Sequence, residues 1–558
     1  MPFSSLLVPV RQTAARPGTA MLARYECAIV FLPAEPSPAD WAAVPHGGLL
    51  RALYGLKERK PGDTIQLRVG ERAETLVLAV CLAGTASMFE RLNAAGKLAR
   101  LALEGEPQSL LLHAYGGDGE VLHDALNATV AALQAAAFRF ATFKTDHKPH
   151  RPLARIDISG AGKLTALDLT SATSAGNNLA RWLTALPPNT LDAAGYRRLL
   201  REFARRLGLG FKFYGEAQLK RLGAGAFLAV SRGNAARDAG IVHLAYRPGV
   251  ATPRVATPGV ATPRVAARGS AAASRASRRT TSPPTVSLVG KGICFDTGGT
   301  NLKTHKSMLD MHIDMEGSAV AVGSLYALHS LRSPLSVDCW LAITENRTGP
   351  SAYKPQDVVT AHNGTTIQVI HTDAEGRMVL ADTLSLAAAA KPRAIIDYAT
   401  LTGACVYALT ERYSGAFTNR PEARELLEAA GSSSGERVWC FPMDADFDTD
   451  LESTVADVLQ CTTEGKGDHI LAARFLNRFV PKQIAWLHLD LAAGSRTGGL
   501  AHIGTEITGF GVRYTLDLLQ RGWPPAAQRA PPSGANGRAT VRRTAAGAPA
   551  KRRLARAS

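Results

Sequence analysis

The sequence predicts an α/β protein in two folded parts, a smaller N-terminal one and a larger C-terminal one, with a low-complexity insertion and tail. Three observations carry this. Short aliphatic runs of strand length alternate with longer runs at helical spacing from residue 26 onward. The segment PPNTLD, residues 187–192, breaks the pattern in the middle. Two acid-free stretches rich in Pro, Ala and Arg interrupt or end it. The boundaries expected are 1–25 as a disordered or mis-called N-terminus, 26–168 as the N-terminal α/β domain and 169–523 as the larger domain. Residues 248–284 form its insertion and 524–558 a disordered basic tail.

In the first part CAIVFLP (27–33), TLVLAVCL (75–82) and SLLLHAY (109–115) read as strands. FERLNAAGKLARLAL (89–103) and ALNATVAALQAAAF (125–138) read as helices between and after them. A helix is expected near 173–186, and AAGYRRLLREFARRLG (193–208) leads into the second part as another. There the strands expected are 241–246, 285–290, 336–343, 366–370 and 394–398. MVLADTLSLAAAA, Met378 to Ala390, is a strong helix former.

The flanking segments hold the charge. The net charge is +17, yet residues 1–25, 247–284 and 524–558 contain three, seven and eight cationic side chains and no acid. The remainder nets about −1, so a basic nucleic-acid surface is not a property of the folded body. The insertion repeats a five-residue unit (VATPR VATPG VATPR VAARG), and a proline every fifth residue forbids regular helix or sheet. Such tails could hold phosphate non-specifically, but they offer almost no aromatics for stacking. No window reaches the roughly 18 apolar residues of a membrane span. The seven cysteines are scattered and never in CxxC spacing, which fits reduced thiols in a cytoplasm.

Two strand-to-helix junctions concentrate the chemistry. VIHTDAEGRMVLADTLSLA crowds Asp373, Glu375 and Arg377 between a short apolar strand and a helix. LVGKGICFDTGGTNLKTHKSMLDMHIDMEG runs from a strand into Lys291, Asp296, a Gly-Gly turn, Lys303 and Asp314. Strand C-terminal ends are where α/β folds build sites. Four carboxylates brought together there would repel one another unless cations compensate, and oxygen-rich donors suit Mn²⁺, Mg²⁺ or Zn²⁺. Spacing alone leaves a second reading open, in which the four are separate solvated acids.

VGKGICFDTGG, the lysine twelve residues past Lys291, the aspartate twenty-three past it, and TDAEGRMVLADTL together resemble the leucyl (cytosol) aminopeptidase family of two-metal exopeptidases. ENRTGPSAYKPQDVV, ATLTGA and WLHLDLAAG follow in that family's order. The likeness covers roughly 170–523 and is only general for 26–168. It implies a catalytic domain with a mixed central sheet and two divalent ions, Mn²⁺ or Zn²⁺, held by Lys291, Asp296, Asp314, Asp373 and Glu375. It implies Lys303 polarising the scissile carbonyl, and Arg377 holding a bicarbonate that transfers protons. Met311, Thr400, Leu401 and Gly403 would meet the substrate. Short peptides as substrate, leucine-like N-terminal residues, a homo-hexamer and a cytoplasmic location come with the resemblance.

Two departures stand out. His371 occupies a position where the family's familiar members carry Asn, and is expected to be a satisfied hydrogen-bonding group. Glu316, two residues past Asp314, should point away from the ions, because i and i+2 diverge on a helix. The rival readings are a nucleic-acid-binding protein acting through its basic tails and a non-catalytic structural paralogue. The intact set of seven family positions opposes the second.

Overall fold

Strands of three to eleven mostly apolar residues organise the described chain into two main sheets. The structure is a computed structural model that describes residues 6–13, 18–249 and 285–524, apart from short breaks at 57, 59–61, 71–73, 83, 85, 116–118 and 147–149. The VATPR repeats and the basic tail lie outside the described residues, apart from the first residues of the insertion and Pro524.

The first sheet runs Val10–Thr13, Arg155–Ser159, Ser109–Ala114, Cys27–Leu32, Thr75–Cys81, Thr64–Val69 in spatial order. All neighbours are parallel except the last pair. Helices Met88–Leu103 and Gly119–Ala137 pack together against it, the first where helical spacing placed it and the second starting six residues earlier. Ser87 and Glu90 start the first with a reciprocal capping box, fixing its end where the sequence leaves a loop.

The expectation of disorder for residues 1–25 does not hold for those described. Val10–Thr13 pairs with Arg155–Ser159, Leu6 is buried, and Gln134 clamps Val8 through both backbone groups at 2.7 and 2.8 Å. Ahead of the arginines lies the apolar run LLVPV, which has a sheet edge and a core to join.

The second sheet is mixed, as expected. Its order is Val438–Cys440, Ser414–Thr418, Ala485–Asp490, Ala394–Ala399, Val286–Asp296, Val337–Asn346, Gly240–Tyr246, Gly210–Gly215. The four strands from Ala485–Asp490 to Val337–Asn346 are parallel and their C-terminal ends lie side by side. Side chains alternate between two cores: Val286 and Leu288 face one, Val289 and Ile293 the other. Helix Leu167–Thr184 begins earlier than expected, so the boundary set at 168/169 falls in its first turn. It packs on both Gly119–Ala137 and Glu316–Ser330, and Asn178 donates to the carbonyls of Leu6 and Gln134 at 2.9 and 3.2 Å.

The stretch expected as a strand over 366–370 is shorter. Thr366–Gln368 belongs to a separate three-stranded sheet with Val358–Thr360 and Val458–Leu459. The junction bearing Asp373 and Glu375 therefore approaches the central sheet from outside it. All seven cysteines are free and buried.

Candidate metal centre

Lys291 and Asp296 share the strand Val286–Asp296 but are five residues apart, which in a regular strand would put them on opposite faces. The register against Val337–Asn346 slips here: Ile293 pairs with Ile343's neighbour Thr344, and Asp296 with Asn346. One extra residue on the longer strand re-aims Asp296 to the side of Lys291. Asn346, at the end of the partner strand, donates to Asp296 Oδ1 at 2.8 Å, as does the Gly298 N–H at 2.8 Å. The same Asn346 amide donates to the Thr372 carbonyl at 3.0 Å, tying the second junction to the first.

Asp314 precedes helix Glu316–Ser330, and Glu375 opens helix Glu375–Ala389. Each helix is drawn in by a glycine at a close approach. A Cβ on Gly317 would stand 2.1 Å from the Tyr398 carbonyl oxygen, and one on Gly376 would stand 2.6 Å from Lys291 Cε. Oxygens of Asp296, Asp314 and Glu375 thereby come within 4.8 Å of one another, all three residues buried. The convergence that spacing left open is present, so the solvated-acid reading fails for these three.

Two ammonium groups sit among the carboxylates. Lys291 Nζ lies 2.6 Å from Asp314 Oδ1, 2.8 Å from Glu375 Oε1 and 2.9 Å from the Thr400 carbonyl. Lys303 Nζ lies 2.6 Å from Asp373 Oδ1 and 3.0 Å from Asp296 Oδ2. Burial works against both charges, but the surrounding carboxylates outweigh it and raise both pKa values. Burial, with Asp296 and Glu375 as like-charged neighbours, pushes Asp373 up to about 7 against the pull of Lys303. Asp314 is raised well above the carboxylate range, chiefly by burial. Four acids against two bases leave a negative surplus, and Asp314 Oδ2 is buried without a partner. An oxygen donor set of that charge fits divalent cations.

Of the residues expected at the substrate, Thr400 touches this cluster. Thr400 Oγ1 donates to Asp314 Oδ1 at 2.8 Å. The backbone N–H groups of Leu401 and Thr402 donate to Asp490 Oδ1 at 3.1 and 3.3 Å, which holds the turn before helix Gly403–Leu409. Met311 lies half-buried in a short helical turn three residues before Asp314, and Gly403 is exposed. His371 is exposed, its Nδ1 near the Asp373 N–H at 3.2 Å, and its pKa is lowered by burial and by Lys303. Glu316 turns away from the cluster to lie against Gly494.

Arg377 is buried, and its Nη2 donates to both oxygens of Asp468 at 2.8 and 2.7 Å. Asn346, Asp490 and Asp468 escaped the sequence reading. The first two stand at ends of parallel central strands, beside Asp296 and Thr400, a position that could have marked them. Nothing local marks Asp468, which lies 91 residues from its partner.

Residues 267–516 match the catalytic domain of the cytosol aminopeptidase family. A probable cytosol aminopeptidase of Syntrophotalea carbinolica is 35% identical over 412 residues, 72% of this chain and 76% of that protein. One from a Synechococcus species is 34% identical over 472 residues, 82% of this chain and 88% of that protein. Among solved structures, the bottromycin maturation enzyme BotP in complex with Mn superposes with a TM-score of 0.71 at 30% identity, covering 89% of this chain and 99% of that one. A tomato leucine aminopeptidase mutant has the same fold, with a TM-score of 0.75 at 24% identity over 92% and 96% of the two chains.

Proposed function

The chain belongs to the cytosol aminopeptidase family, metal-dependent enzymes that release N-terminal residues from peptides, and from that premise we propose how its residues perform the reaction. Asp296, Asp314, Asp373, Glu375 and Lys291 hold two divalent ions, with Mn²⁺ favoured by the Mn in the BotP structure. The carrying observation is the buried Asp296–Asp314–Glu375 convergence with its unpartnered Asp314 oxygen. When bound, the ions acidify a water and polarise the peptide carbonyl.

The chain's own groups do the rest. Lys291 would hold an ion only as the neutral amine, so the proton that its carboxylate neighbours retain would pass to solvent as the ion enters. Lys303 faces the same cluster with an ammonium held by Asp296 and Asp373, and stabilises the negative charge that develops on the carbonyl oxygen. Asp490 fixes the turn that presents Leu401 and Gly403 to the peptide, with Thr400 and Met311 beside it. The bicarbonate that the resemblance places on Arg377 does not fit: Nη2 is taken by both Asp468 oxygens and Nη1 by the Gln460 carbonyl at 3.2 Å. Of the five guanidinium N–H bonds, three are used, and the two that remain, one on Nη1 and one on Nε, leave no second pair on Nη2 for an incoming anion.

Leucine-like N-terminal residues, a homo-hexamer and a cytoplasmic location belong to the same proposal. Among the described residues no helix is long and apolar enough to cross a membrane. The test is hydrolysis of leucine amides after exhaustive chelation and after Mn²⁺ is returned. Activity lost with the metal and restored by it is expected. Undiminished activity in chelator would contradict the ligand assignment.

A further inference from the structure

Arg377 is the third residue of helix Glu375–Ala389, two positions past a carboxylate of the cluster. Its side chain is 2% exposed, so its charge requires a close anion. Asp468 supplies it, from the first turn of helix Asp468–Asn477 and behind Gly465 and Gly467, both in left-handed conformation. Unlike Arg377, the Asp468 side chain is 24% exposed and keeps one flank open. Arg377 Nη1 also donates to the Gln460 carbonyl at 3.2 Å, and the Gln460 side chain accepts the N–H groups of Ile370 and His371 and donates to the Ala374 carbonyl, each at 3.0 Å, which ties the ion pair to the junction that carries Asp373 and Glu375.

We propose that Asp468 is the built-in anion of this site. It occupies on Arg377 the place the resemblance gives to bicarbonate, and it carries the proton of the reaction, so that turnover needs no dissolved anion. As the water oxygen bonds to the carbonyl carbon, one water proton passes to the Asp468 carboxylate. As the carbon–nitrogen bond breaks, that proton passes to the leaving amine nitrogen, and Asp468 is again a carboxylate. No other reactant is consumed. Arg377 is the positioning residue, holding Asp468 through two hydrogen bonds to one nitrogen.

This rests on the aminopeptidase reading above, and the experiment separates the two. Mn²⁺-loaded full-length protein and its Asp468→Ala and Asp468→Asn variants are assayed on leucine amide, in buffer stripped of carbon dioxide and in buffer with added bicarbonate. Bicarbonate is also titrated calorimetrically into each. The wild type should be indifferent to bicarbonate and show no binding heat. Asp468→Ala should fall about 10²-fold without bicarbonate, regain at least tenfold with it, and bind it. Asp468→Asn, which still fills the position, should stay slow in both buffers. A wild-type rate that rises several-fold with bicarbonate, or wild-type binding of it, overturns the proposal, and neither arm depends on a variant folding. So does an Asp468→Ala enzyme of unaltered rate in stripped buffer. If the wild type had no metal-dependent activity, the aminopeptidase reading would fail, and the binding heats would still decide whether Asp468 blocks the anion position.

Discussion

Asp382 and Asp314 are both buried, but the chain treats them in opposite ways. Asp382 accepts the N–H of Phe227 on one oxygen and that of His362 on the other, each at 2.7 Å. Asp397 is served likewise by Trp486 and His488, at 2.6 Å each. Glu436 takes the N–H groups of Gly511 and Tyr514 at the start of helix Val512–Gln520. These carboxylates stitch distant segments together, and each has its own donors. At the Asp314 cluster the nearest groups include other carboxylates, and one oxygen has no donor at all. Burial is common to both regions. Surplus charge marks only one, and that surplus is what a cation can use.

Substitutions should separate the regions. The largest effect is expected at Asp314→Asn, which removes the charge of a proposed ligand: metal-dependent hydrolysis should drop about 10³-fold, while thermal stability measured in chelator stays level or rises as repulsion is relieved. A large loss of stability there would erase the distinction. Asp382→Ala should do the reverse. It strands two backbone N–H groups and should cost about 2–4 kcal/mol in urea unfolding, with kcat in the surviving folded enzyme nearly unchanged.

A smaller effect separates the regions by pH. Burial raises Glu436 from 4.5 to about 7. The folded chain thus binds this proton more tightly than the unfolded one. The stabilising contribution is complete below pH 4.5 and is lost as pH rises through about 7. Glu436→Gln keeps an acceptor for both N–H groups and does not titrate. The difference between wild-type and variant unfolding free energies should therefore drift by at most about 3 kcal/mol between pH 4.5 and 8. A pH-independent difference would show that the carboxyl is not protonated in the fold.

Much of the architecture was readable from periodicity alone. The runs at 27–33, 75–82 and 109–115 are strands, the run at 193–208 is a helix, and the break at residues 187–192 separates helices Leu167–Thr184 and Ala193–Leu207. Misreadings arose where a short element depends on a distant partner. Val10–Thr13 is a strand because Arg155–Ser159 offers it an edge, and the 366–370 segment is cut short because its partners are Val358–Thr360 and Val458–Leu459.

By itself the sequence determined most of the elements and pointed, through its resemblance, to the proposed ligands. Strand and helix periods are local, and the residues of TDAEGR and VGKGICFD fall into motifs that can be recognised as strings. Only the tertiary structure decided the bulge that turns Asp296 toward Lys291, the Asn346 amide that joins the two junctions, and the Asp468 carboxylate seated on Arg377. These link residues up to 91 positions apart, and no local pattern constrains which donor meets which acceptor once the chain has closed. Burial compels each charge to find a partner; the fold chooses which one.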